Sequence, residues 1–479
     1  MDMQHLNLDR SHKAPIFIQL YWRYRDAINT GELRPGDRIP SVRSLASELN
    51  VARGTVERAY QMLTSEGYFL ARGPAGTIIS PHLLSLATPA PPTQSRVSGK
   101  AHPRSTTVAV GSPRPLQLGV PALDAFPRKT WVRLAAQHLR RLDGAAMSYP
   151  DAQGHASLRR AIATYLGVSR GIACSHEQVF VTAGYRGALD LICSTLLKPG
   201  QTGWYEDPGY IFARQFLEYA GMRLEPVPVD EEGLNVAIGQ QRDASASFAV
   251  VTPTHQSPLG MAMSLPRRLQ LLDWASQRRA WIIEDDYDSE FRYHGQPLPP
   301  LKSLDRDGRV LYTGTFSKVL FPGLQLAYLI VPESQIERFR HSASQLGGPG
   351  STDQQATVAD FMEQGHFARH LRKMRSLYSA RRGYLVEALL QQFDGRLHVQ
   401  PQAGGIHLLA RLTQRGNDRA LAEAAQSREL AIAALSRWQV RRSGYGGLLM
   451  GFANVTDPPM ARALMQQLQA ATQSGWNTA

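Results

Sequence analysis

From Pro15 to Ser80 apolar residues recur at helical spacing, and the segment then closes on short extended runs punctuated by glycine. Within it Val42, Leu45, Ala46 and Leu49 fall at i, i+3, i+4 and i+7 behind Ser41, a good helix N-cap, and Asn50 can end that helix. After the turn Asn50-Val51-Ala52 a second helix buries Val56, Ala59, Tyr60 and Leu63 by the same spacing, which leaves Arg53, Thr55, Glu57 and Arg58 at its front and on its free sides. Residues 68–71, the turn 72–76 and residues 77–79 read as a two-stranded wing. Residues 81–115 are rich in Pro, Ser, Thr and Ala with almost no apolar periodicity, which predicts a flexible or extended linker. Beyond it, strand-length apolar runs (178–182, 249–252, 281–283, 309–312, 327–331) alternate with amphipathic stretches such as 188–197 and 265–276. That alternation implies crossover units and a parallel or mostly parallel sheet.

A chain of 479 residues predicts about two to four domains. No stretch approaches the roughly 20 uninterrupted apolar residues that a membrane helix needs, and the first ten residues carry no secretion or import signal, so a cytoplasmic location and no membrane partner are expected. Cys174 and Cys193 have neither CxxC spacing nor metal-ligand neighbours, and no metal site is expected. The net charge of +13 suits a polyanionic partner. It is spread, however, with 13 Lys and Arg against 8 Asp and Glu in residues 1–112 and 40 against 32 in the rest. The chemistry has to come from motifs.

Two short helices joined by a tight turn, the second presenting polar side chains near its N-terminus, have the docking geometry of a helix-turn-helix. The region resembles the GntR-type winged helix from Pro15-Ile16-Phe17 and Gly31-Glu32-Leu33, through Pro35-Gly36-Asp37-Arg38-Ile39-Pro40-Ser41, to the wing glycines. The resemblance implies double-stranded operator DNA as partner, with Arg43, Arg53 and Thr55 on phosphates and base edges and with Arg72 and Gly76 placing the wing at the minor groove. Glu57 stands where relatives often carry another basic residue.

Further on, the apolar strand Trp281-Ile282-Ile283 runs into Glu284-Asp285-Asp286-Tyr287, so Asp285 sits at a strand C-terminal end, where open α/β sheets bind ligands. Thirty-three residues later Thr313-Gly314-Thr315-Phe316-Ser317-Lys318 again follows an apolar strand. An acid, a phenol two residues on and a lysine supply what pyridoxal phosphate needs: an anion facing the pyridinium nitrogen (Asp285), a donor to its phenolic oxygen (Tyr287) and an amine for the Schiff base (Lys318). Thr315 and Ser317 can donate to the phosphate.

With Tyr149-Pro150-Asp151, Thr182-Ala183-Gly184, Asp207-Pro208-Gly209-Tyr210 and Thr252 to Gly260 in order, residues 116–479 resemble a fold-type I aminotransferase domain, a large α/β domain with a small C-terminal α/β subdomain. Joined to a winged helix at 11–80 through the linker 81–115, this is similar in layout to the MocR/GabR regulators. The resemblance implies that Lys318 is the catalytic lysine, that Gly184, Tyr185 and Arg186 lie under the phosphate at a helix N-terminus, that Tyr210 stacks on the ring, and that Tyr149 reaches the neighbouring subunit's phosphate in a homodimer.

Three departures stand out. Gln325 replaces a phosphate-binding arginine, for which Arg186 can substitute. Ser257 replaces the asparagine beside the phenolic oxygen, leaving His255 or Gln256 to take its role. Leu449 replaces the arginine that clamps a substrate carboxylate, with Arg441 and Arg442 nearby. The expected function is a regulator that senses pyridoxal phosphate, or an amino compound forming an aldimine with it, with weak or no transaminase turnover. The alternative is an active aminotransferase carrying a DNA-binding domain.

Overall fold

The computed structural model describes residues 8–9, 14–81, 111–144, 147–293, 298–400, 402–414, 416–441, 444 and 446–473. The chain divides into two compact units, residues 1–109 and 110–479. Most of the expected linker lies outside the described residues.

In the first unit the helices are Ile16–Asn29, Val42–Glu48 and Arg53–Ser65. The side chain of Ser41 accepts a hydrogen bond from the Ser44 amide at 3.1 Å, as a capping residue should. Asn50 takes φ +50°, a left-handed conformation that asparagine tolerates and that turns the chain between the two short helices. Val56, Ala59, Tyr60 and Leu63 are the buried stripe of the second short helix. The wing strands Phe69–Ala71 and Thr77–Ile79 pair antiparallel, and a two-residue strand, Arg38–Ile39, adds to the second of them. That third strand is too short to leave a periodic signal in the sequence. Tyr24, Tyr60 and Phe69 meet edge to face, with ring centroids 5.1 to 5.7 Å apart. Tyr60 Oη donates to the Pro40 carbonyl at 3.0 Å and touches Tyr24 Oη at 3.2 Å, so the core buries its phenols without orphaning them.

The second unit is built on an eight-stranded sheet. Its strands lie in the order Val179–Thr182, Ala327–Ile330, Val310–Thr315, Trp281–Asp286, Phe248–Val251, Thr202–Asp207, Arg223–Asp230, Gly233–Leu234. The strands from Val310–Thr315 to Arg223–Asp230 pair parallel, while Ala327–Ile330 runs antiparallel to both its neighbours. The mostly parallel expectation holds. Apolar periodicity did not single out Thr202–Asp207 and Arg223–Asp230, whose sequences TGWYED and RLEPVPVD mix charge and proline into the strand. Central strands such as Phe248–Val251 are buried at every position, the mark of a sheet covered on both faces. Helices Gly184–Leu196 and Leu265–Arg278 extend the two amphipathic stretches read from the sequence.

A smaller antiparallel sheet follows, in the order Leu397–Val399, His407–Leu412, Gly447–Gly451, Ala433–Ala434. Among the described residues no helix is long and apolar enough to cross a membrane, and no group of three or more His, Cys, Asp or Glu is arranged to hold a metal ion. The parallel strands of the large sheet end on one edge, which is where the loops carrying the candidate residues emerge.

Phe69→Ala removes one ring of the aromatic triangle and should cost the first unit about 3–5 kcal/mol. Amide exchange in Ile16–Asn29 and Arg53–Ser65 of the full chain should accelerate roughly a hundredfold or more, with exchange in the large sheet unaltered.

Candidate functional site

Successive side chains of a strand point to opposite faces, and this separates the three acids of Trp281–Asp286. Glu284 turns one way and accepts the amides of Leu301 and Lys302, each at 2.7 Å. Asp286 points the same way and accepts from Tyr312 Oη at 2.6 Å and from Arg170 Nη2 at 2.5 Å. Asp285 faces the other side and is 5% exposed. Among the described residues no cation is paired with it. Burial pushes its carboxyl up to about 8; the neighbouring Tyr185 hydroxyl works against this, while the charges of Asp286, Glu206 and Asp288 add to it. The Tyr185 hydroxyl lies against that carboxyl and has no other hydrogen-bond partner among the described residues.

Lys318 follows the adjacent strand, in which Thr313 is in register with Asp285. Its Nζ donates to the Gly119 carbonyl at 2.9 Å. Burial lowers its basicity, against the pull of the Asp288 and Asp285 carboxylates. Gly119 has φ +74°, and a Cβ there would lie 2.4 Å from Lys318 Nζ. The lysine amine therefore occupies space that only glycine leaves open.

His255 Nδ1 sits 2.9 and 3.1 Å from the two oxygens of Asp288 and 3.1 Å from Tyr287 Oη. A carboxylate only accepts, so Nδ1 carries the proton and meets the Tyr287 oxygen as a donor. The phenolic hydrogen of Tyr287 is thereby free to point elsewhere. Gln256, the other residue considered for this position, is committed to its own loop: Nε2 contacts Glu206, Pro208 O and Ser257 O at 2.9 to 3.1 Å, and the side-chain oxygen accepts the Leu259 amide at 3.0 Å.

Gly184 opens the 13-residue helix Gly184–Leu196 at φ +71°, and a Cβ there would lie 3.7 Å from Gln325 Oε1. The loop bearing Thr315, Ser317 and Lys318 thus returns to a helix N-terminus, with the Ser317 amide donating to Thr315 Oγ1 at 3.1 Å. Arg186 is exposed on the first turn of that helix. The Tyr210 ring lies 6.0 Å from Tyr185, 5.8 Å from Trp438 and 5.5 Å from Phe212. Tyr149 is fully exposed.

Leu449 is wholly buried among Leu259, Leu409, Leu435 and Trp438. Arg441 is exposed and pairs with Glu225 at 3.0 Å, while Arg442 lies outside the described residues. Sequence reasoning passed over Gly119, Asp288 and Glu206. Asp288 is visible in the acidic run, but Gly119 is 199 positions from the lysine it receives and gives no local signal.

In the first unit Arg43, Arg53 and Arg72 are exposed, Thr55 is half-buried, and Gly76 has φ +89°. Arg38, unremarked in the sequence, donates to the Ala75 carbonyl at 2.5 Å and braces the wing turn. Arg58 is exposed on the helix's free side, as expected, and its guanidinium lies over the Phe17 ring at 4.4 Å.

Residues 115–464 match the family model Aminotransferase class I and II, and residues 19–79 match Bacterial regulatory proteins, gntR family. The chain is 36% identical over 475 residues to the probable rhizopine catabolism regulatory protein MocR of Rhizobium meliloti, covering 97% of this chain and 95% of that protein. It is 33% identical to the HTH-type pyridoxine biosynthesis transcriptional regulator PdxR of Corynebacterium glutamicum, covering 98% of each. Among solved structures, the alpha-aminoadipate aminotransferase LysN of Thermus thermophilus, complexed with N-(5'-phosphopyridoxyl)-L-leucine, matches at a TM-score of 0.69 and 25% identity, over 76% of this chain and 93% of the other.

Gly119→Ala should displace the Lys318 amine and slow its reaction with a small aldehyde more than tenfold, at a cost of about 1 kcal/mol in stability from alanine held at positive φ; trapping by borohydride and mass measurement reads both the rate and the site. A second expectation follows from Asp285. Its folded pKa of about 8 lies above its ordinary value of 3.8, so the native state binds the extra proton and stability falls as pH rises between those values. Asp285→Asn should therefore raise the melting temperature of the ligand-free protein relative to the parent, and by more at pH 8.5 than at pH 6.

Proposed function

Because the chain belongs to the MocR/GabR regulators, a gntR-family reader fused to an aminotransferase class I and II domain, we propose that it is a DNA-binding transcriptional regulator whose large unit binds pyridoxal phosphate and responds to that cofactor or to an amino compound condensing with it. The observation that carries this reading is Asp285, a buried carboxyl with no salt bridge among the described residues, on the strand beside the one that leads to a lysine of lowered basicity.

The residues fit the cofactor. A protonated ring nitrogen is the cation Asp285 lacks, and it would hold that carboxyl in its ionised form. The free hydrogen of Tyr287 suits a phenolate oxygen. Gly184, Tyr185 and Arg186 offer a helix N-terminus to a phosphate, joined by the hydroxyls of Thr315 and Ser317. Tyr210 covers a ring face, and His255 holds Tyr287 in place. When bound, the cofactor supplies an aldehyde that condenses reversibly with primary amines. The chain's own part is to present the Lys318 amine with its basicity lowered by burial, to hold a proton on the ring nitrogen through Asp285, and to keep water out with Tyr185 and Tyr210. Tyr149, fully exposed, would complete the phosphate site of a second copy in a homodimer.

We place the reader at residues 11–80, the linker at 81–115 and the cofactor domain at 116–479, in the cytoplasm. Arg43, Arg53 and Thr55 would meet operator DNA in the major groove and along its phosphates, and Arg72 and Gly76 would set the wing at the minor groove. A ligand shifts such a protein only by its differential affinity for arrangements that place the two readers differently. Regulation is favoured over steady transamination by Leu449, which puts a buried aliphatic side chain where transaminases clamp a carboxylate.

The purified protein with pyridoxal phosphate should develop a visible absorption band, and borohydride should fix a pyridoxyl group on Lys318. Lys318→Ala should lose both, while its DNA footprint no longer changes on addition of cofactor or amines. A footprint from Lys318→Ala that still responds to cofactor would overturn the covalent reading.

A further inference from the structure

Asp286 faces away from Asp285, and its partner Arg170 lines a cavity of about 170 Å³ together with Tyr165, Ser289, Glu290, Arg292 and Arg375. Buried polar atoms are ordinarily paired, because stripping water from an unpaired one costs free energy. Here three are not. Arg170 Nε, Ser289 Oγ and Arg292 Nε are buried without a hydrogen-bond partner among the described residues. Arg170 is only 6% exposed, so bulk water does not serve its unused edge.

The walls of this cavity are fixed. Arg375 Nε donates to the Glu290 carbonyl at 2.7 Å. The Phe291 amide donates to the Asp288 carbonyl at 3.0 Å and the Tyr293 amide to the Ala403 carbonyl at 2.7 Å, while a Cβ on Gly404 would fall 2.4 Å from the Phe291 carbonyl. Glu290 is the acid of the lining, and its carboxyl accepts from Tyr165 Oη at 3.4 Å, the far limit of a hydrogen bond. Withdrawal from water and the Asp286 charge push that carboxyl up to about 7, with Arg170 pulling the other way and Asp288 adding to the push. The phenols that face it, Tyr165, Tyr312 and Tyr328, are held protonated by their own burial. In more alkaline solution Glu290 is a bare carboxylate, able only to accept.

Three guanidiniums around one carboxylate define a narrow class of ligand. The arginines suit an oxyanion, which a guanidinium holds through charge-assisted bonds, and Ser289 Oγ is a further donor. An ionised Glu290 repels an oxyanion unless that anion brings a hydrogen of its own to donate. Hydrogenphosphate brings one, whereas sulfate and the dianion of a phosphate monoester offer only acceptors. We propose that this cavity is a binding site for inorganic phosphate, with Arg170, Arg292, Arg375 and Ser289 donating to its oxygens and Glu290 accepting from its P–O–H. One like-charged contact without a hydrogen between its partners then excludes the fully deprotonated oxyanions. Asp285, Lys318 and Gly184 are not part of this lining, so the site stands whether or not the cofactor reading does.

Calorimetric titration of the full-length protein at pH 8.5, where Glu290 is ionised, compares inorganic phosphate, sulfate and methyl phosphate, each with and without pyridoxal phosphate. The parent should bind phosphate at least tenfold more tightly than either of the others, with pyridoxal phosphate making little difference. Glu290→Gln replaces the acceptor by an amide that can also donate, and should bring sulfate to within threefold of phosphate. Arg292→Gln and Arg375→Gln should each weaken phosphate at least fivefold. A parent that binds phosphate and sulfate alike, or neither, would refute the assignment, as would a phosphate preference that survives Glu290→Gln in a protein of unaltered melting temperature. Phosphate binding that pyridoxal phosphate abolishes and all three substitutions leave unchanged would sit at the helix end of Gly184, and would refute it equally.

Discussion

A carboxyl buried with no salt-bridge partner among the described residues is the constraint around which the large unit is organised. Burial holds Asp285 mostly protonated near neutral pH, whereas the two acids flanking it in the same strand are fully committed, Glu284 to backbone amides and Asp286 to Arg170 and Tyr312. The difference is one of strand periodicity. Neighbouring residues face opposite sides of the sheet, so one acid of the run is left facing away from the two that hold the framework.

The remaining parts of the site serve that geometry. The parallel strands end on a common edge, which gathers loops from distant stretches of chain around Asp285. Close approach is obtained with glycine where a side chain would collide, at Gly119 beneath the lysine amine and at Gly405 beside the His255 ring. Asp288 fixes the proton of His255, so the Tyr287 oxygen accepts from His255 and its own hydrogen is not spent on that ring. Each of these residues acts by restricting a neighbour rather than by adding affinity of its own.

The first unit solves a different problem with a core too small for much redundancy. Three aromatic rings meet edge to face and satisfy their own hydroxyls, while Arg38 and Arg58, which sequence alone leaves as candidate contacts or unremarked charges, are spent on bracing the wing and covering Phe17. Arg43, Arg53 and Arg72 are among the arginines left exposed, in keeping with a reader that draws affinity from phosphates.

Local rules sufficed for much of this protein. The stripe Val56, Ala59, Tyr60 and Leu63, the cap at Ser41, the turn at Asn50 and the alternation of strands and helices beyond residue 115 all depend on spacings of a few residues, which periodicity reports directly. Asp285, Tyr287 and Lys318 were likewise legible, because each ends or follows an apolar strand. Tertiary structure alone decided the rest. The antiparallel strand Ala327–Ile330, the third wing strand, the glycine that receives the lysine from 199 positions away and the unpaired polar lining around Arg292 are contacts between distant segments. Their energies depend on what is excluded from water when the chain closes, and no short window of sequence contains that information.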